Sequence, residues 1–299
     1  KDSPDYSESS NFAVSWSHSQ DSKARPGTSF RASVNFASPS NNKYNSDNIQ
    51  QALQNQMSSS ISYSKTWTGM SMSVNASHSQ NSRDSSYAIT FPNITFTVNR
   101  FFPFKRKNGV GSEKFYEKIS LSYNSSMQNK INFKVKELKD MNIMDRLQNG
   151  MTHNFAIGLP SFTILNYIQA APSISYGMNW YFREQTKRYD PETDQVITEM
   201  TPQFSRFGIS QTYSAGISFS TRIYGLFNFG KDKKVQAIRH MISPQLGINL
   251  KPELGTAMNG YRTYTYIDKN GKEKSVEYNK YAGNLTSPPG RGRNAGLTF

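Results

Sequence analysis

Four histidines, His18, His78, His153 and His240, are the side chains best suited to metal ligation or general-base work. A zinc site needs three or four ligands at short, defined spacings, and a helical metalloprotease site needs two histidines one turn apart. None of the four has such a neighbour in sequence. There is no strand–serine–helix nucleophile elbow and no phosphate-cradling glycine loop. The absence of cysteine excludes disulfides and thiolate ligands. Serine is too abundant for its nearness to a histidine to signal a nucleophile. His18 and His78 sit in near-identical hexapeptides, Ser-His-Ser-Gln-Asp-Ser at 17–22 and Ser-His-Ser-Gln-Asn-Ser at 77–82. The strand reading below puts them on opposite sides of a membrane, so the likeness is compositional. The expectation is a non-enzyme with no catalytic residue, metal or cofactor.

Charge is the other chemical feature. A net charge of +14 favours anionic partners such as nucleic acid, phosphorylated lipid or acidic glycan. The basic residues are dispersed. The tightest groups are Lys105-Arg106-Lys107 and Lys231, Lys233 and Lys234, neither on an evident helix or nucleic-acid motif, so nucleic acid is not an expected partner. Arg206 and Arg222 stand out for a different reason, which is the stretch between them.

In residues 206–223 the odd positions include Phe207, Ile209, Tyr213, Ile217, Phe219 and Ile223. The even ones are Arg206, Gly208, Ser210, Thr212, Ser214, Gly216, Ser218, Ser220 and Arg222. A β-strand sends alternate side chains to opposite faces. One face is greasy and the other small and polar, over a length far beyond the roughly 5–6 residues of a soluble strand. Composition agrees. Hydrophobic residues make up 35% and aromatics 13%. A barrel with a wet lumen needs only alternate residues to be apolar and gathers aromatics at both membrane interfaces. No run is long and apolar enough for a transmembrane helix.

The same alternation recurs from Phe12 through Leu250, giving about eleven strands, the last beginning at Leu297–Phe299. Turns are expected near 20–27, 68–69, 100–114, 165–167 and 224–237, and longer loops near 37–56, 80–85, 126–150, 184–205 and 251–290. Barrels carry short periplasmic turns and long external loops, which places the second set outside. Residues 47–56 and 134–148 are expected to form short helices within loops. Pro92, Pro160, Pro172 and Pro244 each lack a ladder donor and belong at strand ends or bulges, and a phase change at Pro92 marks a bulge. The fold class is all-β: an antiparallel transmembrane barrel with long extracellular loops. Residues 1–299 form part of one such domain. The odd strand count, and a chain opening at Lys1-Asp2-Ser3-Pro4 without an initiator methionine, read as a fragment of a larger barrel.

Several blocks resemble the barrel of the lipopolysaccharide-assembly LptD (OstA-like) family in its Bacteroidota form. They are Trp16-Ser17-His18-Ser19-Gln20-Asp21, Pro26-Gly27-Thr28-Ser29-Phe30, Asn99-Arg100-Phe101-Phe102-Pro103-Phe104-Lys105-Arg106-Lys107 with Phe115-Tyr116-Glu117-Lys118-Ile119, Pro172-Ser173-Ile174-Ser175-Tyr176 with Trp180-Tyr181-Phe182, Thr221-Arg222-Ile223-Tyr224-Gly225 and, most specific, Ala237-Ile238-Arg239-His240-Met241-Ile242-Ser243-Pro244. The resemblance implies a very large outer-membrane barrel that receives lipopolysaccharide from a periplasmic bridge. It implies release into the outer leaflet through a lateral opening, with an LptE-like lipoprotein plug and a periplasmic jellyroll domain as partners. Neither the jellyroll nor the gate strands are evident here. Lipid A carries phosphates, which arginine and lysine bind by charge-assisted hydrogen bonds. Arg206 and Arg222, on the polar row, are the candidate lumen contacts. Lys105, Arg106, Lys107, Arg239 and His240 are candidate contacts at the periplasmic rim, for partner protein or outer-membrane lipid. A porin or nutrient receptor, and a secreted β-rich adhesin, are the competing readings.

Overall fold

The computed structural model describes residues 12–38, 56–137, 139, 142–229 and 235–298. In chain order the strands are β1 (Ala13–Ser19), β2 (Thr28–Ala37), β3 (Gln56–Trp67), β4 (Met70–Asn81), β5 (Ser86–Phe101), β6 (Ser120–Lys134), β7 (Gln148–Gly158), β8 (Phe162–Ile164), β9 (Ile168–Tyr181), β10 (Gln185–Asp190), β11 (Gln195–Met200), β12 (Gly208–Ser220), β13 (Ile223–Asn228), β14 (Ala237–Ile242), β15 (Gln245–Lys251), β16 (Tyr261–Ile267), β17 (Glu273–Asn279) and β18 (Asn294–Thr298). Eleven of them follow a single path, β1-β2-β3-β4-β5-β6-β7-β9-β12-β15-β18, with β8 paired to β9 off that path. The connections along this path are the up-and-down meander expected from the alternation, and its pairings are antiparallel. Among the described residues β1 and β18 are the two free edges, so the sheet is an open, partial barrel wall.

Several boundaries differ from the sequence expectation. The strand read over 206–223 is β12, 13 residues long, because pairing breaks at Thr221–Arg222 and resumes as β13. At about 3.4 Å per residue and about 45° tilt it still crosses roughly 31 Å, more than the roughly 25 Å apolar band. The loop expected over 126–150 shrinks to 135–147, because β6 keeps pairing with β5 as far as Lys134. The helix expected over 134–148 is instead a 3-10 turn at Val135–Glu137 and a four-residue helix α1 (Ile143–Arg146). Three connections contain hairpins of their own: β10–β11, β13–β14 and β16–β17. The expected helix at 47–56 falls almost wholly outside the described residues, as do Lys1–Pro4, Leu138, Lys231, Lys233, Lys234 and Phe299.

The prolines sit where a missing N–H is tolerated. The register slips between Thr90 and Asn93, across Pro92, and the facing strand slips between Asn75 and Ser77. Pro160 follows the end of β7 and Pro244 separates β14 from β15. Pro172 departs from the expectation by lying inside β9. It pairs with Ile217, one residue beyond the last β7 pair, Gly158↔Ser173.

Packing is inverted relative to a soluble domain. Among the described residues only six apolar side chains are buried, against sixteen polar or charged ones. The apolar row instead forms ladders across the outer surface. Val98, Tyr123, Phe155, Tyr176 and Tyr213 are direct cross-strand partners in succession. The Tyr123–Phe155 centroids lie 4.7 Å apart, Phe155–Tyr176 5.8 Å and Tyr176–Tyr213 5.3 Å. Each such pair contributes about 0.2–1 kcal/mol. Aromatic clusters mark both strand ends: Phe12, Phe36, His78, Tyr87 and Phe133 at one, Trp16, His18 and Phe30 at the other. Two aromatic girdles bounding an apolar band are the signature of a membrane wall. Ala215→Arg, in the apolar row of β12, is therefore expected to cost about 2–4 kcal/mol, and Ser214→Arg in the opposite row far less. Urea midpoints for folding into vesicles check this.

Candidate functional site

The polar rows of neighbouring strands converge on one concave trough of about 820 Å³. Its floor is built from short side chains: Thr97 and Asn99 of β5, Ser122 and Asn124 of β6, Asn154 of β7, Ser175 and Gly177 of β9, Thr212 and Ser214 of β12, Asn249 of β15 and Asn294 and Gly296 of β18. Side-chain hydrogen bonds cross the strands, as from Asn124 Nδ2 to Thr97 Oγ1 at 2.9 Å. A Cβ on Gly177 would collide with Thr212 Oγ1, so that row closes only because Gly177 has none. Among the described residues two cations enter the lining, Arg100 and Lys251, and no carboxylate does. The floor side chains are thus short and neutral-polar with two positive points beside them, chemistry that suits sugars and phosphates.

Arg100 and Lys251 were not singled out from the sequence. Arg100 falls where the β5–β6 register slips between Val98 and Phe101, which swings it out of simple alternation. Lys251 was legible in principle. It continues the polar row Gly247, Asn249, Lys251 that alternates with Leu246, Ile248 and Leu250.

At one end of β9 and β12 the connection 252–293 folds back against this same polar row instead of projecting freely. Tyr281 stacks on Tyr181 with centroids 4.3 Å apart and planes 8° from parallel. The Tyr181 hydroxyl lies 3.0 Å from Ser210 Oγ. The Gln211 N–H donates to Asn259 Oδ1 at 2.7 Å and Asn179 Nδ2 donates to the Ser287 carbonyl at 3.4 Å. Gly208 is required at the contact, since any Cβ there meets the Tyr281 ring. Gly260, at φ +90°, turns the chain against that ring's other edge. The Lys280–Glu184 ion pair (2.6 Å) and the hydrogen bond from Arg183 Nη2 to the Gly283 carbonyl (3.1 Å) tie the connection to the end of β9. The β10–β11 hairpin joins the same cover. Tyr189 stacks on Tyr266 at 4.8 Å, and its N–H donates to the Tyr264 hydroxyl at 3.0 Å. The Asp194 carboxylate that accepts from the Tyr189 hydroxyl, helped by burial, pushes that hydroxyl's pKa up to about 12.

The sequence candidates fall elsewhere. Arg206 and Arg222 are exposed, each two residues beyond an end of β12, and neither lines the trough. Lys105, Arg106 and Lys107 share the loop between β5 and β6. Lys105 Nζ pairs with Glu113 at 2.8 Å. Arg106 grips Glu117 through Nε (2.5 Å) and Nη2 (3.0 Å), and the Glu117 carboxylate also accepts from the Lys114 N–H at 2.6 Å. Lys107 is exposed beside them. Arg239 and His240 lie on β14, with the Arg239 guanidinium 4.8 Å over the Tyr224 ring. All of these except Arg206 belong to connections at one end of the strands. His18, His78 and His153 are packed among rings of the apolar row, His153 against Trp180 at 4.4 Å.

A family model described as LptD protein matches residues 1–299, the whole chain. No curated protein matches it, and no solved structure does.

Two outcomes follow from this geometry. Tyr281→Ala should release the 252–293 connection and open the trough at that end, read as increased single-channel conductance in planar bilayers; Tyr281→Phe, which keeps the stack, should not. The Arg106 hydrogen bonds, with the Lys114 N–H, hold the Glu117 carboxyl down at about 2 from an ordinary 4.5. A depressed carboxylate stabilises above its unfolded pKa and loses that contribution as pH falls through the folded value. The 102–119 loop should therefore hold at neutral pH and loosen between about pH 4.5 and 2, visible as rising amide exchange at Arg106 and Lys114.

Proposed function

The chain belongs to the LptD family, outer-membrane proteins of lipopolysaccharide transport, and on that premise we propose that it forms part of the wall of a lipopolysaccharide translocon. This is a transport family rather than an enzyme family. In this reading the chain receives lipopolysaccharide from a periplasmic bridge, carries its hydrophilic part along the trough, and delivers the lipid to the outer leaflet. The observation that carries it is the trough itself: an acid-free polar face bearing Arg100 and Lys251, backed by an apolar outer face. An amphiphile with phosphates, sugars and acyl chains needs both surfaces. The free edges at β1 and β18 support closure by further strands of a larger barrel, because unpaired peptide groups are not tolerated in hydrocarbon. A periplasmic jellyroll domain and an LptE-like plug complete the assembly in this proposal, which takes the Bacteroidota form on the blocks quoted above.

Residue roles follow. Arg100 and Lys251 are the lumen contacts for lipid phosphate, with Arg206 just before β12, whereas Arg222, just past its other end, sits at the rim. Lys107, Arg239 and His240 are the rim contacts, whereas Lys105 and Arg106 are held by Glu113 and Glu117. Depletion of the protein should leave newly made lipopolysaccharide off the cell surface. A hydrogen bond to a charged group contributes about 1.5–3 kcal/mol, so Arg100→Glu with Lys251→Glu should slow surface delivery roughly tenfold or more. Heat-dependent gel mobility would establish that the variant folds. Normal delivery by that variant would remove the trough from the pathway.

A further inference from the structure

β12 and β15 end as a wall but continue as a hairpin. The last wall pair is Ser220↔Gln245 and the first hairpin pair is Ile223↔Ile242, with the Thr221 N–H donating to the Pro244 carbonyl at 3.3 Å between them. The register therefore passes through without a shift, and each side-chain row carries on. The apolar outer row, Ile217 and Phe219 against Ile248 and Leu246, becomes Ile223 and Phe227 against Ile242 and Ile238. These four hairpin residues are 49–59% exposed. The other row changes from Ser218 and Ser220 to Tyr224 and Leu226 facing Met241 and Arg239, with the Arg239 guanidinium stacked over the Tyr224 ring.

Two demands conflict in this hairpin. Its side chains call for an apolar surrounding. Its backbone calls for water, because β13 and β14 form a two-stranded sheet whose outer edges pair with no described strand. The boundary between acyl chains and headgroups satisfies both. Charge points the same way: residues 221–244 hold Arg222, Lys231, Lys233, Lys234 and Arg239 against Asp232 alone. A cation over an aromatic ring beside an apolar row is also an arrangement found at membrane surfaces. The hairpin surface is continuous with the lipid-facing row of the wall, which fixes the occupant as membrane lipid.

We propose that the β13–β14 hairpin is a foot lying on an anionic phospholipid surface at the rim of the wall. The Ile223, Phe227, Ile238 and Ile242 row dips into the acyl boundary, and Arg222 and Arg239 meet lipid phosphates. The break at Thr221–Arg222 and Ser243–Pro244, where Pro244 has no N–H to donate, is where the ribbon leaves the wall. This rests on reading the sheet as a membrane wall, and the test separates the two.

The chain has no cysteine, so with any cysteine outside these residues replaced by serine an introduced one is the single labelling site. In the full-length protein, Phe227→Cys or Ile238→Cys would carry an environment-sensitive fluorophore, with Ile217→Cys as the wall control. Each would be reconstituted into vesicles of phosphatidylcholine alone or with phosphatidylglycerol. Quenching by nitroxide-bearing lipid would be compared with quenching by aqueous iodide. The expected result is lipid quenching at Phe227 and Ile238, stronger in the anionic vesicles. Arg222→Gln and Arg239→Gln should each lower the lipid-bound to free ratio roughly fivefold there and change little in neutral vesicles. Iodide quenching at both hairpin sites with lipid quenching kept at Ile217 would overturn the foot and leave the wall standing. Protection that appears only when a protein partner is added would overturn it too. Iodide quenching at Ile217 as well would take down the wall reading first.

Discussion

A peptide group in hydrocarbon has no water to turn to, and the whole architecture follows from that. Each strand along the path from β1 to β18 must be paired along both edges wherever lipid surrounds it, so register is the quantity the fold protects. A slip of one residue would turn Tyr123, Phe155, Tyr176 and Tyr213 inward and their serine and threonine neighbours outward. The sheet does slip at Thr90/Asn93 and at Val98/Phe101, and each slip is a bulge that absorbs an extra residue and lets alternation resume. The first accommodates Pro92. The second lets Arg100 reach the lumen face, so one backbone irregularity supplies one of the trough's two cations.

The inverted polarity follows from the same constraint. Because the surrounding medium is apolar, large side chains are stable on the outside and interior space is left to Ser, Thr, Asn and Gly. Their shortness creates the trough; bulkier residues would fill it, as the Gly177–Thr212 contact illustrates. At one end Tyr281, Asn259 and Asn284 do what a core does elsewhere, but through stacking and backbone-directed hydrogen bonds rather than aliphatic packing. Charge is managed locally as well. Glu117 neutralises Arg106 and fixes the 102–119 turn, while the trough cations Arg100 and Lys251 face no carboxylate among the described lining residues.

Much of this was readable in residue order, for a physical reason. Alternation is a property of adjacent residues, so strand identity, the row each side chain joins, the bulge at Pro92 and the alternating connections emerged without coordinates. Errors gathered where local pattern is ambiguous. Lys134 belongs to β6 although 134–148 carries helical spacing, because pairing with β5 outweighs a short, uncapped helix. Residues 206–223 alternate throughout, yet the strand breaks at Thr221–Arg222, opposite Pro244 in the junction between β14 and β15. Arg206 and Arg222 share the polar parity of β12 but lie past its ends, a difference that alternation alone does not register.

By itself, then, the sequence determined a long, two-faced, antiparallel wall, since period-two chemistry needs only neighbours along the chain. Tertiary structure alone decided what the wall encloses. That Tyr281 caps Gly208, that Arg100 and Lys251 share one cavity, and that the 252–293 connection turns inward all join residues far apart in the chain. Such meetings depend on sheet curvature and register accumulated over many strands, and no local pattern records them.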